Sequence, residues 1–185
     1  IKKLIEVMTG ILQDKLYIEE AISLSEKTET GKYAPFFSLS NIKGEKITRS
    51  SEDFKKKNLL INFWASWGDS ISNHQSNTEL KEIYQKYKKN KHIAMLGISL
   101  DMDKQEWQDA IKRDTLNWEQ VCDFGGLNSE VAKQYAIKQV PSNILLSADG
   151  KILAKNLKGE QLKKKIEEVV TAAEEKEKQD NKKKK

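Results

Sequence analysis

The chain has a single cysteine, Cys122, among 185 residues. No disulfide can close within one copy of it. A dithiol–disulfide cycle needs one thiolate to attack and a second thiol to resolve the mixed disulfide, so this chain cannot run one alone. Arginine occurs twice, at Arg49 and Arg113. There is no basic block interleaved with aromatics and no zinc-finger spacing, so no nucleic-acid partner is indicated. No group of Cys, His and carboxylate residues has metal-ligand spacing, so no metal site and no cofactor is expected. No apolar run approaches the ~20 residues of a membrane span, so the chain holds no transmembrane segment. No signal peptide is visible, and the chain opens on Ile1 rather than Met, as a mature form or an excised fragment would. The lack of a targeting segment therefore carries no information about compartment, and nothing specifies an oligomeric state.

What is abundant is charge. Charged residues make up 33% of the chain and hydrophobic ones 37%, with a formal net charge of +5. The excess is lysine spread along helical stretches, the pattern of a solvated face rather than a binding patch. The length suits one domain of ordinary size with extensions.

Residues 1–31 read as an N-terminal helical segment. Leu4, Ile5, Met8, Ile11, Leu12, Ile18 and Ile22 recur at helical spacing up to about Ser25, with a break possible at Gly10. This helix packs either on the domain or on an upstream domain absent from the chain. Glu26–Lys32 is polar and reads as a linker. Ala34-Pro35-Phe36-Phe37-Ser38-Leu39 begins an extended segment that pairs back through Glu45–Thr48 after a turn at Asn41–Gly44. Leu59, Leu60, Ile61 and Phe63 form a short strand buried on both faces. Helices are expected over 70–89, over 104–113 capped by Asp101 or Asp103, from about Ser129 to Tyr135, and over 160–173. Strands are expected at 92–100, 118–122 and 142–146, with a return at 151–155 after the Asp149-Gly150 turn. Strands alternating with helices, then a hairpin and a helix, argue an α/β sandwich with a mixed sheet. From about residue 174 the chain is nearly all charged or amide and reads as a disordered tail, 174–185, or as a frayed helix end.

Over roughly Lys32 to Val170 the sequence resembles the TlpA/ResA branch of thioredoxin-like proteins, the redoxin or AhpC/TSA-like thiol–disulfide oxidoreductases of the bacterial envelope. The resemblance rests on Ala34-Pro35-x-Phe37-x-Leu39, Phe63-Trp64-Ala65-Ser66-Trp67, Gly97-Ile98-Ser99-Leu100-Asp101, Val140-Pro141-Ser142 and the Asp149-Gly150-Lys151-Ile152 turn. It implies a three-layer α/β/α sandwich over 32–173, with a mixed central sheet, an N-terminal β-hairpin and a leading helix. It implies a location in the periplasm or outer cell envelope, and a cis Val140–Pro141 bond beside Trp67, at a corner where such proteins pair with extended peptide.

The resemblance breaks where the chemistry begins. Family members carry Cys-x-x-Cys where this chain has Gly68-Asp69-Ser70-Ile71. Gly68 and Ile71 stand at the two cysteine positions, and neither can form a thiolate. Asp69 and Ser70 open a helix, where capping is their ordinary work. Ser70 and His74 share i, i+4 spacing, but no acidic residue at evident spacing would complete a nucleophilic site. Cys122 closes a strand and has no thiolate-stabilising neighbour in sequence. The expected catalytic set is therefore empty. The expected function is a non-catalytic module binding a peptide or protein in the groove of Trp67, Val140 and Pro141. The alternative is a redox protein, oxidoreductase or peroxidase in type, acting through Cys122 or through partner thiols.

Overall fold

The computed structural model describes residues 2–68 and 70–183, with side chains from residue 12 onward apart from 17, 21 and 70–74. Its centre is the apolar run read from the sequence. That run forms β3 (Asn58–Trp64), in which every residue is buried. Both faces of β3 are covered, as an unbroken apolar strand requires. It pairs parallel with β4 (Ile93–Ser99) and antiparallel with β6 (Ser142–Leu146). β4 pairs parallel with β5 (Glu119–Cys122). The hairpin β1 (Ser38–Asn41) and β2 (Lys46–Thr48) extends the sheet beyond β5, and β7 (Ile152–Lys155) closes the other edge. The mixed sheet has seven strands in the order β2-β1-β5-β4-β3-β6-β7.

Alternation along the strands sorts the core into two layers. Leu59, Ile61 and Phe63 point to one face with Leu96, Ile98 and Ile144, against α4 (Glu130–Gln134) through Val131, Ala132 and the following Tyr135. Leu60 and Trp64 point to the other with Met95 and Leu145. That face is covered by α2 (Ser70–Tyr87), α3 (Lys104–Arg113) and α5 (Gly159–Lys183) through Leu80, Trp107 and Ile166. Each such side chain contributes about 1.5–3 kcal/mol when fully buried. The three-layer arrangement is the one the family resemblance implies.

Asp103 caps α3, accepting the Glu106 N–H, and Ser129 caps α4, accepting from Ala132. The Arg49 guanidinium donates to the carbonyls of Phe54 and Lys57, at the latter over 2.6 Å, and to Ser147 and Ala148 at 3.2 and 3.0 Å. It ties the loop before β3 to the β6–β7 turn. On β4, Gly97 stands abreast of Gln120 on β5. The Gln120 amide fills the space above it and accepts the Trp64 indole N–H at 3.0 Å. A Cβ added at Gly97 would lie 1.9 Å from Gln120 Oε1.

Three expectations change. The N-terminal helix α1 (Lys2–Lys27) runs through Gly10 without a break, since one glycine costs only about 1 kcal/mol in a helix. The stretch read as a linker is anchored: Thr28 is fully buried, Lys155 Nζ donates to its hydroxyl at 3.0 Å, and Gly31 N–H bonds Ile152 O at 2.8 Å. The disordered tail is not seen over 174–183, which continue α5 as helix. Lys and Glu are good helix formers, and Glu174 accepts from Asn90 at 3.2 Å while Glu177 pairs with Lys91 at 2.6 Å and His92 at 3.2 Å. Residues 184 and 185 lie outside the described residues.

On α1, Leu12, Leu16, Ile18 and Ile22 are all more than half exposed, while Leu24, near the end of the helix, is half-buried. Among the described residues no helix is long and apolar enough to cross a membrane.

Candidate functional site

Three parallel strands end together. Trp64 on β3 stands abreast of Ser99 on β4, which stands abreast of Cys122 on β5. The loops leaving this carboxyl end of the sheet are where α/β proteins present functional groups. The first loop carries Ala65, Ser66, Trp67 and Gly68. Two residues past the paired positions Trp64 and Ser99 lie Ser66 and Asp101. The Asp101 side chain is fully buried. One of its oxygens accepts the Ser66 N–H at 2.9 Å and the Ser66 hydroxyl at 2.6 Å. The other accepts the Ser99 hydroxyl at 2.6 Å. The loop before the motif is therefore pinned from beneath, and Trp67 is left 51% exposed above it.

Of the four motif positions, Gly68 follows this pinned loop, its N–H bonded to Ala65 O at 3.2 Å. Asp69 lies outside the described residues. Ser70 and Ile71 form the first turn of α2, and their side chains lie outside the description, as does that of His74. The Val140–Pro141 peptide bond is cis. Antiparallel pairing of Phe63 with Ser142 places Pro141 next to the end of β3, on the side opposite β4. A cavity of about 570 Å³ opens from Pro141 between the first half of α2 and the loop into α5, lined by Gln75, Glu79, Asn143 and Leu157 among others. Asn143 holds that loop, donating to Leu157 O at 2.7 Å and accepting the Leu157 N–H at 3.1 Å. Burial pushes the Glu79 carboxyl above its ordinary range, while the Gly159 N–H and Lys163 act in the opposite direction.

Cys122 is not part of this corner's surface. It is 2% exposed, its thiol donates weakly to Asp101 O at 3.5 Å, and its sulfur accepts the Phe124 N–H at 3.3 Å. Burial pushes its pKa up from 9.0 to about 11. A thiol so held is overwhelmingly protonated at neutral pH and is a poor nucleophile. Among the described residues no group of His, Cys, Asp and Glu could hold a metal ion.

Asp101 is the residue that sequence reasoning misplaced. It reads as a helix cap beside Asp103, yet only Asp103 caps α3. Its real partner is Ser66, 35 residues away, and only the β3–β4 register brings the two together.

The comparisons agree with this geometry. A family model described as thioredoxin-like, Thioredoxin_8, matches residues 55–152. The thiol-disulfide oxidoreductase ResA of Bacillus cereus is 31% identical over 162 residues, 88% of each chain. The C-terminal domain of a putative thiol-disulfide oxidoreductase from Bacteroides thetaiotaomicron is 78% identical, with a TM-score of 0.78 over 79% of this chain and 99% of that one. A thiol-disulfide oxidoreductase from Bacteroides fragilis is 59% identical, with a TM-score of 0.72 over 75% and 99%. Fold, motif order and relatives converge, and the chain belongs to the thioredoxin-like family, among the ResA-type thiol–disulfide oxidoreductases.

Proposed function

We propose that this protein is a thioredoxin-like binding module without dithiol chemistry, which takes an extended peptide or protein segment at the corner of Trp67, Gly68–Ile71, Val140 and Pro141. One observation carries the reading. The half-exposed Trp67 sits at the corner where this chain has Gly68 and Ile71 in place of the family motif's cysteines, while the chain's only thiol is buried on β5, its pKa raised to about 11. The corner keeps its shape through the Asp101–Ser66 anchor and loses its reactivity. An edge-on extended segment suits it, because main-chain pairing supplies affinity and side-chain pockets supply selectivity. The cavity leading from Pro141 along α2 is such a pocket.

The family resemblance supports a location in the bacterial cell envelope. Residues 32–173 form its thioredoxin-like unit. The uncovered apolar side chains of α1 support the reading of residues 1–31 as the end of an upstream domain. The Bacteroides thetaiotaomicron relative is a C-terminal domain, in agreement with that arrangement.

The test is selection of a displayed random nonapeptide library on the protein, then titration of the recovered peptides against Trp67→Ala and Gly68→Lys. Binding weakened about tenfold or more by both supports the reading. Peptides that bind the variants as well as the unmodified protein would place the site elsewhere. Disulfide reduction by the unmodified protein, lost in Cys122→Ser, would restore a redox role.

A further inference from the structure

The corner continues away from Pro141 on the other side of Trp67. Met102 is 73% exposed and Leu127 is 43% exposed, both large apolar side chains on loops that leave the same end of the sheet as Trp67. Their loops are held together. A Cβ added at Gly126 would lie 3.2 Å from Met102 Cγ, so the Met102 side chain lies over the Gly126 backbone, next to Leu127. Gly126 has a φ of +61°, which admits glycine readily and lets the loop bend back under that side chain. The Cys122 thiol bonds Asp101 O beneath them, and Asp101 bonds Ser66 beside Trp67. Single exposed apolar residues are ordinary, but three on adjoining loops beside one site mark an interaction surface. Methionine suits such a surface because its side chain adapts to varied shapes.

Two carboxylates stand at the rim of this shelf, although the protein as a whole is basic and Lys104 follows one of them. The chain carries +5. Asp103 follows Met102, Asp123 starts the turn that leads to Leu127, and both are exposed. Their carboxyl groups are fixed in place, Asp103 by the Glu106 N–H at 2.9 Å and Asp123 by the Gly125 N–H at 3.0 Å. Fixed negative charge at the edge of an apolar shelf favours positively charged side chains and rejects carboxylates.

We propose that Trp67, Met102 and Leu127 form a shelf for one large apolar side chain of the bound segment, and that Asp103 and Asp123 select segments with lysine or arginine beside it. This rests on the peptide-binding reading of the same corner and adds the chemistry of the occupant.

The test uses three fluorescein-labelled nonapeptides of serine and glycine: one with a central leucine between two lysines, one with that leucine between two glutamates, and one with alanine between two lysines. The first should bind at least about tenfold more tightly than either other at low salt; at high salt its advantage over the glutamate peptide should shrink while its advantage over the alanine peptide remains. Asp103→Asn with Asp123→Asn keeps both turn acceptors and should abolish the lysine preference. Met102→Gln with Leu127→Gln should abolish the leucine preference. Equal binding of the lysine and glutamate peptides, or preferences unchanged in the double variants, overturns the inference. If library-selected peptides bind at Trp67 while the lysine–leucine peptide does not, the inference falls and the binding module stands. If no peptide binds at all, both fall.

Discussion

Asp101 holds Ser66 by both its N–H and its hydroxyl through a single carboxyl oxygen, at 2.9 and 2.6 Å, with the Ser99 hydroxyl on the other oxygen. Removing the side chain strands three donors, of which the Ser99 hydroxyl is fully buried. Asp101→Ala should cost about 3 kcal/mol in denaturant unfolding. Asp101→Asn can turn its oxygen to Ser66 and its amide to Ser99 Oγ, so it should cost only about 1 kcal/mol. A larger loss in Asn than in Ala would contradict this arrangement.

The unmodified protein should not reduce insulin disulfides above background. Gly68→Cys with Ile71→Cys would place a Cys-x-x-Cys pair at the start of α2, where N–H groups and the helix dipole favour a thiolate. The double variant should show reductase activity in the insulin turbidity assay, and each single variant should show none.

Cys122 makes stability depend on alkaline pH. Its folded pKa of about 11 lies above the ordinary thiol value, so the folded chain holds its proton where the unfolded chain has lost it. The contribution is complete below about pH 9 and is lost as pH rises toward about 11, at about 1.4 kcal/mol per unit. Unfolding of Cys122→Ala should lack this part of the slope, and native Cys122 should react slowly with a thiol reagent at neutral pH. Identical pH profiles for the two proteins would show that the thiol does not contribute.

Arg49 should matter more than its position in a loop suggests. Its guanidinium serves four carbonyls on two segments, a fork that lysine cannot reproduce. Arg49→Lys should cost about 2–3 kcal/mol in chemical denaturation. A loss below about 0.5 kcal/mol would mean that solvent satisfies those carbonyls equally well.

The end of α5 should be nearly dispensable. The ion pair of Glu177 with Lys91 is on the surface, where such pairs contribute little. Truncation after Glu175, which removes Glu177, should move the thermal midpoint by no more than about one or two degrees. A loss of several degrees would show a docked segment.

Most of the framework was legible because its signals are local. The apolar run at 58–63 could only be a strand covered on both faces, and Asp103 before an apolar-periodic stretch could only be a helix start. The Asp149-Gly150 turn announced the last hairpin. What escaped depends on register. Nothing between residues 66 and 101 ties them together in sequence, and nothing in Met102 or Leu127 says that their loops meet over Gly126. The tail misled because composition alone does not distinguish a solvated coil from an exposed helix of Lys and Glu.

Gly97 and Gln120 share one volume. Any side chain at 97 collides with the Gln120 amide, and any smaller residue at 120 deprives the Trp64 indole N–H of its acceptor. Neither position can change first without loss, so single-step substitution paths between this pair and a larger residue at 97 cross a fitness valley. A sequence that reached the alternative would have to revise three positions on three neighbouring strands, and Trp64, two residues before the Ser66 anchor, would be one of them.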